Sequence, residues 1–501
     1  MCEICHYRGG FDRREFLKIG GAAAILGSLW RPIDALAQSP VSADQHRLAA
    51  KKRTRVTVIF MYPPEDVVLG GKLEDWWSTN HQFADWPGHQ YEPEKNHEKF
   101  RRKIEEIGAK YDLDLDFRGV IYTKAQVSAF VESINAAPPE ALLIVNFWRT
   151  FSGWINELML PKISLPMIIY QPVGVTHQLP SGQLRNTEGV VYIHSVENWE
   201  ALENALAAAN AKQIMARSRL LRVAEVKEQF TDTEKNLGVE IVAIPAEEYN
   251  KMFDSVVADD SLKREAMAFK AKATAILDVN DHYMIEAFRA RKAISELMKR
   301  YDADSITIKC LMLKERKPCV AFALNNSALI PCACEDETSS AFTLMIGTLM
   351  FQRGGFMHNP DFDLDRNQYY ASHCTCPIEM HGPGKGMLPF NIRPFLHQLP
   401  KTAAVDVQMT PDEKIFLTKY SPKENLIRTY TGTIVGTPEM TVAAGCATRC
   451  IFDIDKIDKT TGDVSSIYLG PHPIMYCGNA MEAKRMKAFA KLTRLQHIGN
   501  I

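Results

Sequence analysis

The feature that most constrains this chain is a repeated pattern in which strand-length apolar runs, lacking polar alternation, are followed by helical patterns. Arg55 to Met61 is the first run and ends at Pro63-Pro64. Ala141 to Phe147, Pro166 to Tyr170 and Val190 to His194 continue it, and Leu113 to Phe117 is a further strand. A helical stretch from Asn96 places Phe100, Ile104 and Ile107 on one face, and a second covers Lys124 to Ile134. Strands this apolar need cover on both faces, which parallel sheets flanked by helices provide. Strands alternating with helices predict a doubly wound parallel sheet. No GxGxxG or P-loop marks a strand-to-helix turn, so no nucleotide site is indicated.

The pattern closes with an Ala-rich helix from Trp199 to Met215 and then restarts with Leu220 to Val223, Val239 to Ile244 and Ser305 to Lys309. A long amphipathic helix from about Asp281 to Arg300 precedes the last of these. Beyond Gly354-Gly355 the texture changes to short β-prone pieces, Lys414 to Thr418, Leu426 to Tyr430 and Thr431 to Val435, before a final helix from Ala480 to Leu495. The chain has 501 residues, too many for one core, since single cores rarely exceed roughly 250–300 residues. The predicted organisation is α/β, with two doubly wound parallel α/β domains, 53–217 and 218–352, followed by a smaller β-barrel-like domain over 353–501.

The N-terminal segment reads differently. Asp12-Arg13-Arg14-Glu15-Phe16-Leu17-Lys18 precedes an apolar run from Ile19 to Trp30 and a small-x-small pattern at Ala35-Leu36-Ala37. That is the form of a twin-arginine export signal. The run is shorter than the roughly 20 residues that span a bilayer. Residues 1–37 are therefore expected to be removed and 38–52 to be a linker, leaving a periplasmic or otherwise exported protein. Cys2-Glu3-Ile4-Cys5-His6 spells the c-type haem attachment pattern but lies ahead of the signal. Net charge of −1 gives no electrostatic footprint for nucleic acid or an anionic membrane surface.

Chemistry-bearing residues concentrate late in the chain. Cys332-Ala333-Cys334-Glu335-Asp336-Glu337 precedes the apolar stretch Ala341 to Met350, which predicts Glu335 at a helix N-terminus, held ionised by free amides. Phe356 to Cys376 carries His358, Asn359, Asp361, Asp363, Asp365 and His373. That oxygen-and-imidazole inventory suits Mn²⁺ or Mg²⁺. Of 11 cysteines, nine lie at or beyond Cys310, and the pairs at 332/334 and 374/376 are CxC, which is not zinc-finger spacing. A thiol-based metal or redox site, with disulfides after export, stays open. Trp76 and Trp77, in an aromatic loop beyond the first strand, stand where ligands bind such sheets, as a sugar-stacking lid or as packing.

Four segments carry a family resemblance: Cys334-Glu335-Asp336, His373-Cys374-Thr375-Cys376-Pro377, Gly445-Cys446-Ala447-Thr448-Arg449, and His472 to Gly478 before the final helix. In these the chain resembles the L-fucose isomerase and L-arabinose isomerase superfamily. The resemblance implies aldose–ketose interconversion through an enediol, a divalent metal (usually Mn²⁺) and a homo-oligomer. In the fucose branch a Glu, an Asp and a C-terminal His hold the metal, and the two acids move the proton. Glu335 resembles that Glu and His472 that His, while His373 resembles a residue lining the substrate. Asn359 stands at the spacing of the family Asp, and an amide cannot accept the proton. Asp361 or Asp363 is then the replacement, with Asp361 taken here as catalytic and as a ligand beside Asn359. The family's Gly-Asp is Gly478-Asn479. Two readings follow: a metal-dependent sugar isomerase, or an idle isomerase fold that binds carbohydrate or acts as a scaffold.

Overall fold

The structure is a computed structural model and describes residues 48, 53–74, 92–148, 150–173, 180–395, 402–438, 446–458 and 460–501. Residues 1–37 and the Trp76–Trp77 pair lie outside the described residues, as do the signal and lid expectations placed on them.

Each apolar run becomes a strand. β1 (Arg55–Met61), β2 (Asp114–Ile121), β3 (Ala141–Asn146), β4 (Met167–Pro172) and β5 (Val190–Ser195) form a parallel sheet in the order β2-β1-β3-β4-β5. Alternate residues of β1, β3 and β4 enter different cores, which is why those runs show no polar alternation, whereas the edge strand β2 is mostly half-buried or exposed. Val56, Val58 and Phe60 join Phe100, Ile104 and Ile107 of the helix Pro93–Lys110 on one face. Ile59 and Met61 join Val127, Phe130 and Val131 of Lys124–Ala136 on the other. That second helix starts at a capping box between Thr123 and Gln126.

A second sheet combines β6 (Arg219–Ala224), β7 (Phe230–Thr233), β8 (Glu240–Pro245), β10 (Ser305–Ile308) and β11 (Cys332–Cys334) in the order β11-β10-β6-β8-β7. Its first four strands are parallel and β7 is antiparallel. The short β9 (Ala275–Ile276) leaves this region to pair with β15 (Phe390–Pro394), itself paired with β16 (Ala403–Val407).

The remaining strands are β12 (Phe356–Met357), β13 (Asn359–Asp363), β14 (Gln368–His373), β17 (Lys414–Ser421), β18 (Leu426–Gly436), β19 (Thr448–Ile454), β20 (Ile474–Cys477) and β21 (Gln496–Gly499). They form an eight-stranded, mainly antiparallel sheet along the path β12-β20-β17-β18-β19-β14-β13, with β21 parallel on β18. The two ends of that path, β12 and β13, are separated only by His358, so the sheet must curl until its edges meet there. Ile415, Leu417, Tyr369, Phe452 and Met475 fill the inside. Phe416, Tyr420 and Tyr476 belong to the large core shared with the helix Thr338–Phe351. That helix approaches so closely at Gly347 that a Cβ there would lie 1.9 Å from the Tyr476 hydroxyl. The close approach fixes the helix after Glu335 against the strand after His472.

Candidate metal centre

Glu335 does not open a helix, contrary to the sequence expectation. It follows β11 in a turn where Glu335 and Asp336 both take the left-handed conformation, φ 59° each. The helix Thr338–Phe351 is capped instead by Glu337, which accepts from the Ser339 amide at 3.2 Å. Two consecutive left-handed residues with Cβ atoms cost on the order of 1–2 kcal/mol each, so the surroundings must hold them. Arg222 grips Asp336 bidentately at 2.6 and 2.8 Å, and the Asp336 amide donates to the Ile308 carbonyl at 3.2 Å.

His373 ends β14, where register places it opposite Thr448 of β19. Its Nδ1 lies 3.1 Å from the Thr375 hydroxyl, which turns Nε2 toward Glu335 Oε1 at 3.7 Å. His472 sits between Pro471 and Pro473, also left-handed at φ 51°. The Ser340 hydroxyl (2.6 Å) and the Lys419 ammonium (3.3 Å) donate to its carbonyl oxygen. Its Nε2 lies 3.3 Å from Glu335 Oε2. The two imidazoles stand perpendicular, centroids 5.5 Å apart.

One donor atom from each of Glu335, His373 and His472 falls within 4.8 Å of the others. Both histidines are buried, and Glu335 keeps 29 % of its side chain accessible, so the group opens through the carboxylate. The imidazoles of His373 and His472 hold the Glu335 carboxyl far below the usual carboxylate range. His373 Nε2 and His472 Nδ1 are buried without a hydrogen-bond partner. His373 Nε2 and His472 Nε2, both facing the ionised carboxylate, fit a divalent cation, and two nitrogens with one oxygen suit Zn²⁺ or Fe²⁺ as well as Mn²⁺. The Thr375 hydroxyl then orients the His373 ring from behind.

The remaining expected residues are placed otherwise. Asp361 lies on β13 opposite Tyr370, is exposed, and turns its carboxylate back to accept from the Phe362 amide at 2.8 Å. It is not among the converging donors. Asp363 holds the Arg366 amide at 3.0 Å. Asn359 pairs with Ser372, next to His373, and its amide nitrogen contacts Cys446 Sγ at 3.9 Å. His373, expected to line substrate, stands among the donors instead. A second group of convergent donors, His381, Glu413 and Cys477, contains none of the expected residues.

The thiols nearby are free in all nine described cysteines. Burial pushes those of Cys332 and Cys446 up to about 12, away from the reactive thiolate. Sequence reasoning missed Arg222, Ser340 and Lys419. Lys419 had a visible signal, a lone charge inside a strand whose neighbours are all apolar or hydroxyl-bearing; burial lowers its ammonium to about 8.

No protein-family profile matches the sequence, and no curated protein matches it. Among solved structures, the chain is similar to a solute-binding protein of an ABC transporter from Burkholderia multivorans. Identity is 11 %, coverage is 60 % of this chain and 95 % of that one, and the TM-score is 0.16. A likeness at that score carries no argument about fold or function.

Proposed function

We propose that this protein is a divalent-metal-dependent, aldose–ketose isomerase-like protein acting on a small carbohydrate outside the inner membrane. The observation that carries the reading is the convergence of Glu335, His373 and His472, from three separate segments, on one partly open point. Glu335 and His472 are the residues that the isomerase resemblance points to, and His373 joins them as a ligand. Bound there, a cation such as Mn²⁺ supplies polarisation of the sugar carbonyl and eases negative charge at its oxygen.

The chain's own part is to orient and to move a proton. Glu335, the accessible carboxylate of the three, is placed to take the proton from the carbon next to the carbonyl. His373 and His472, buried and braced by Thr375 and by Ser340 with Lys419, keep the carboxylate where it is. Export through residues 12–37 belongs to the same proposal. Among the described residues no helix is long and apolar enough to cross a membrane.

A second reading, binding without turnover, draws on Asp361. Isomerisation needs a second acid, and this carboxylate is exposed and engaged with Phe362. Solvent-deuterium incorporation at C2 of a panel of aldoses and at C1 of the matching ketoses separates the readings. Metal-dependent exchange in the wild type, lost in Glu335→Gln, is the expected result. Sugar binding without exchange supports the second reading, and neither binding nor exchange sinks both.

A further inference from the structure

The group formed by His381, Glu413 and Cys477 lies at the far end of the strands that carry the metal centre. β20 starts just after His472 and ends at Cys477, and antiparallel β17 pairs Thr418 with Ile474 and Ile415 with Cys477. Lys419, which holds His472, and Glu413 therefore mark opposite ends of β17. Five positions at roughly 3.3 Å each separate His472 from Cys477 along the strand. That is far beyond the roughly 3.5–4 Å of a two-metal centre, so the group is a site apart.

Local backbone places each donor. Cys477 joins Ile415 and Met475 on the inside of the curled sheet and is 1 % exposed. Its carbonyl accepts from Arg353, whose charge Glu482 meets at 2.5 Å. Glu413 precedes β17; the Ile434 amide donates to its carbonyl and the Asp412 amide to that of Ile434, both at 2.9 Å. His381 lies in a loop closed by the Leu388 amide on the Ile378 carbonyl at 2.8 Å. The Ser327 hydroxyl pins that loop, accepting from the Ile378 and Glu379 amides at 2.9 and 3.3 Å. Gly382 follows at φ 109°, where a Cβ would lie 2.9 Å from the Gln352 carbonyl. Glycine is what allows that turn.

His381 Nδ1 lies 3.4 Å from Glu413 Oε1, and one donor atom from each of the three residues falls within 4.8 Å of the others. The side chains of His381 and Glu413 keep 39 % and 18 % of their surface accessible, so the group opens to solvent on the imidazole side. Among the described residues no lysine or arginine forms an ion pair with Glu413. A carboxylate at the edge of an apolar interior, faced by an imidazole and a thiol, has a place for a cation. The donor types select the ion: nitrogen, oxygen and sulfur together suit Zn²⁺, whereas Mn²⁺ and Mg²⁺ prefer oxygen. Three protein ligands leave the fourth tetrahedral position to water.

We propose that His381, Glu413 and Cys477 form a second metal site, selective for Zn²⁺, that ties the loop 378–388 to the ends of β17 and β20. The Cys477 thiol donates to the Glu413 carboxylate. Binding exchanges that proton for the ion and releases it to water, with no change of oxidation state. The site stands independently of the carbohydrate reading.

Co²⁺ is the probe, because it takes the ligands of Zn²⁺ and gives a near-ultraviolet charge-transfer band when a thiolate binds it. The full chain, kept reduced with a phosphine, should develop that band up to about one Co²⁺ per chain and lose it when Zn²⁺ is added. Cys477→Ala should abolish the band. His381→Ala, on an accessible loop, and Glu413→Gln should each weaken Co²⁺ binding at least about tenfold, the lower end for residues that merely support a ligand. Glu335→Ala and His472→Ala should keep the band, since the other centre has no thiol among its converging donors. If Cys477→Ala does not fold, the loss in His381→Ala decides. No band in the wild type, a band that survives Cys477→Ala or is lost with Glu335, or an affinity unmoved by His381→Ala and Glu413→Gln overturns the proposal.

Discussion

Glu335 and Asp406 are both carboxylates set between two nitrogen-bearing side chains, yet they respond in opposite directions. The imidazoles of His373 and His472 take the Glu335 carboxyl far below its ordinary range. Asp406, between Arg449 and Arg393, is instead raised, because burial outweighs both guanidiniums. Glu335 keeps an accessible face, while Asp406 is buried with one oxygen unpartnered. Formal charge nearby matters less than whether the ionised form is solvated or hydrogen-bonded. The first carboxylate is held as an anion at a partly accessible point; the second is pushed toward its neutral form in a buried one.

The largest effects should come from the residues that make the first site. Glu335→Ala and His472→Ala are each expected to weaken metal binding by more than about 100-fold, the upper end seen for mere supporting residues. Retention of Mn²⁺ by either variant, measured by competitive chelation, would break the contrast at its stronger side. Next, Glu335→Gln should lower C2 proton exchange by about 10²–10⁴-fold, the usual share of general acid–base catalysis.

Smaller is the expected effect of Arg222→Lys. It keeps a charge near Asp336 but loses the two-point grip on the left-handed turn, and metal affinity should fall about 10–100-fold. An unchanged affinity would mean the turn holds itself. The smallest effect is a difference of sign in the acid limb of stability. Glu335, whose carboxyl is depressed, stabilises the fold above the ordinary carboxylate pKa and loses that contribution as pH falls. Asp406, whose carboxyl is raised, contributes most below the ordinary carboxylate pKa and loses it as pH rises through its elevated value. Urea unfolding across the carboxylate range should therefore show Glu335→Gln and Asp406→Asn diverging from the wild type with opposite slopes. Slopes of the same sign contradict the comparison.

The mixed α/β character was legible because β1 and β3 are buried on both faces, and a run such as Ala141 to Phe147 has few other uses. The curl of the third sheet was not legible: it follows from β12 and β13 being opposite edges joined through His358, a long-range pairing that local pattern does not encode. Glu335 and His472, which the structure brings together, were singled out through resemblance, 137 positions apart, and no periodicity links them. Asp361 was misplaced because distance along the chain from Glu335 stood in for distance in space. β13 leads away from His373 along the sheet, so each step beyond Asn359 moves the side chain further from the centre. The left-handed turn at Glu335 was hidden as well, since Glu335-Asp336-Glu337 has the acid enrichment of a helix start and no glycine to mark positive φ.

The measurement that bears most directly on the central claim is the divalent-metal content of the folded protein beside Glu335→Ala and His472→Ala. About one ion per chain released by both substitutions, with the helical and sheet signal unchanged, is the predicted result, one site taking one ion. No ion bound by the wild type when Mn²⁺, Zn²⁺ and Fe²⁺ are each supplied, or a Mn²⁺ ion that stays in both variants, would contradict it.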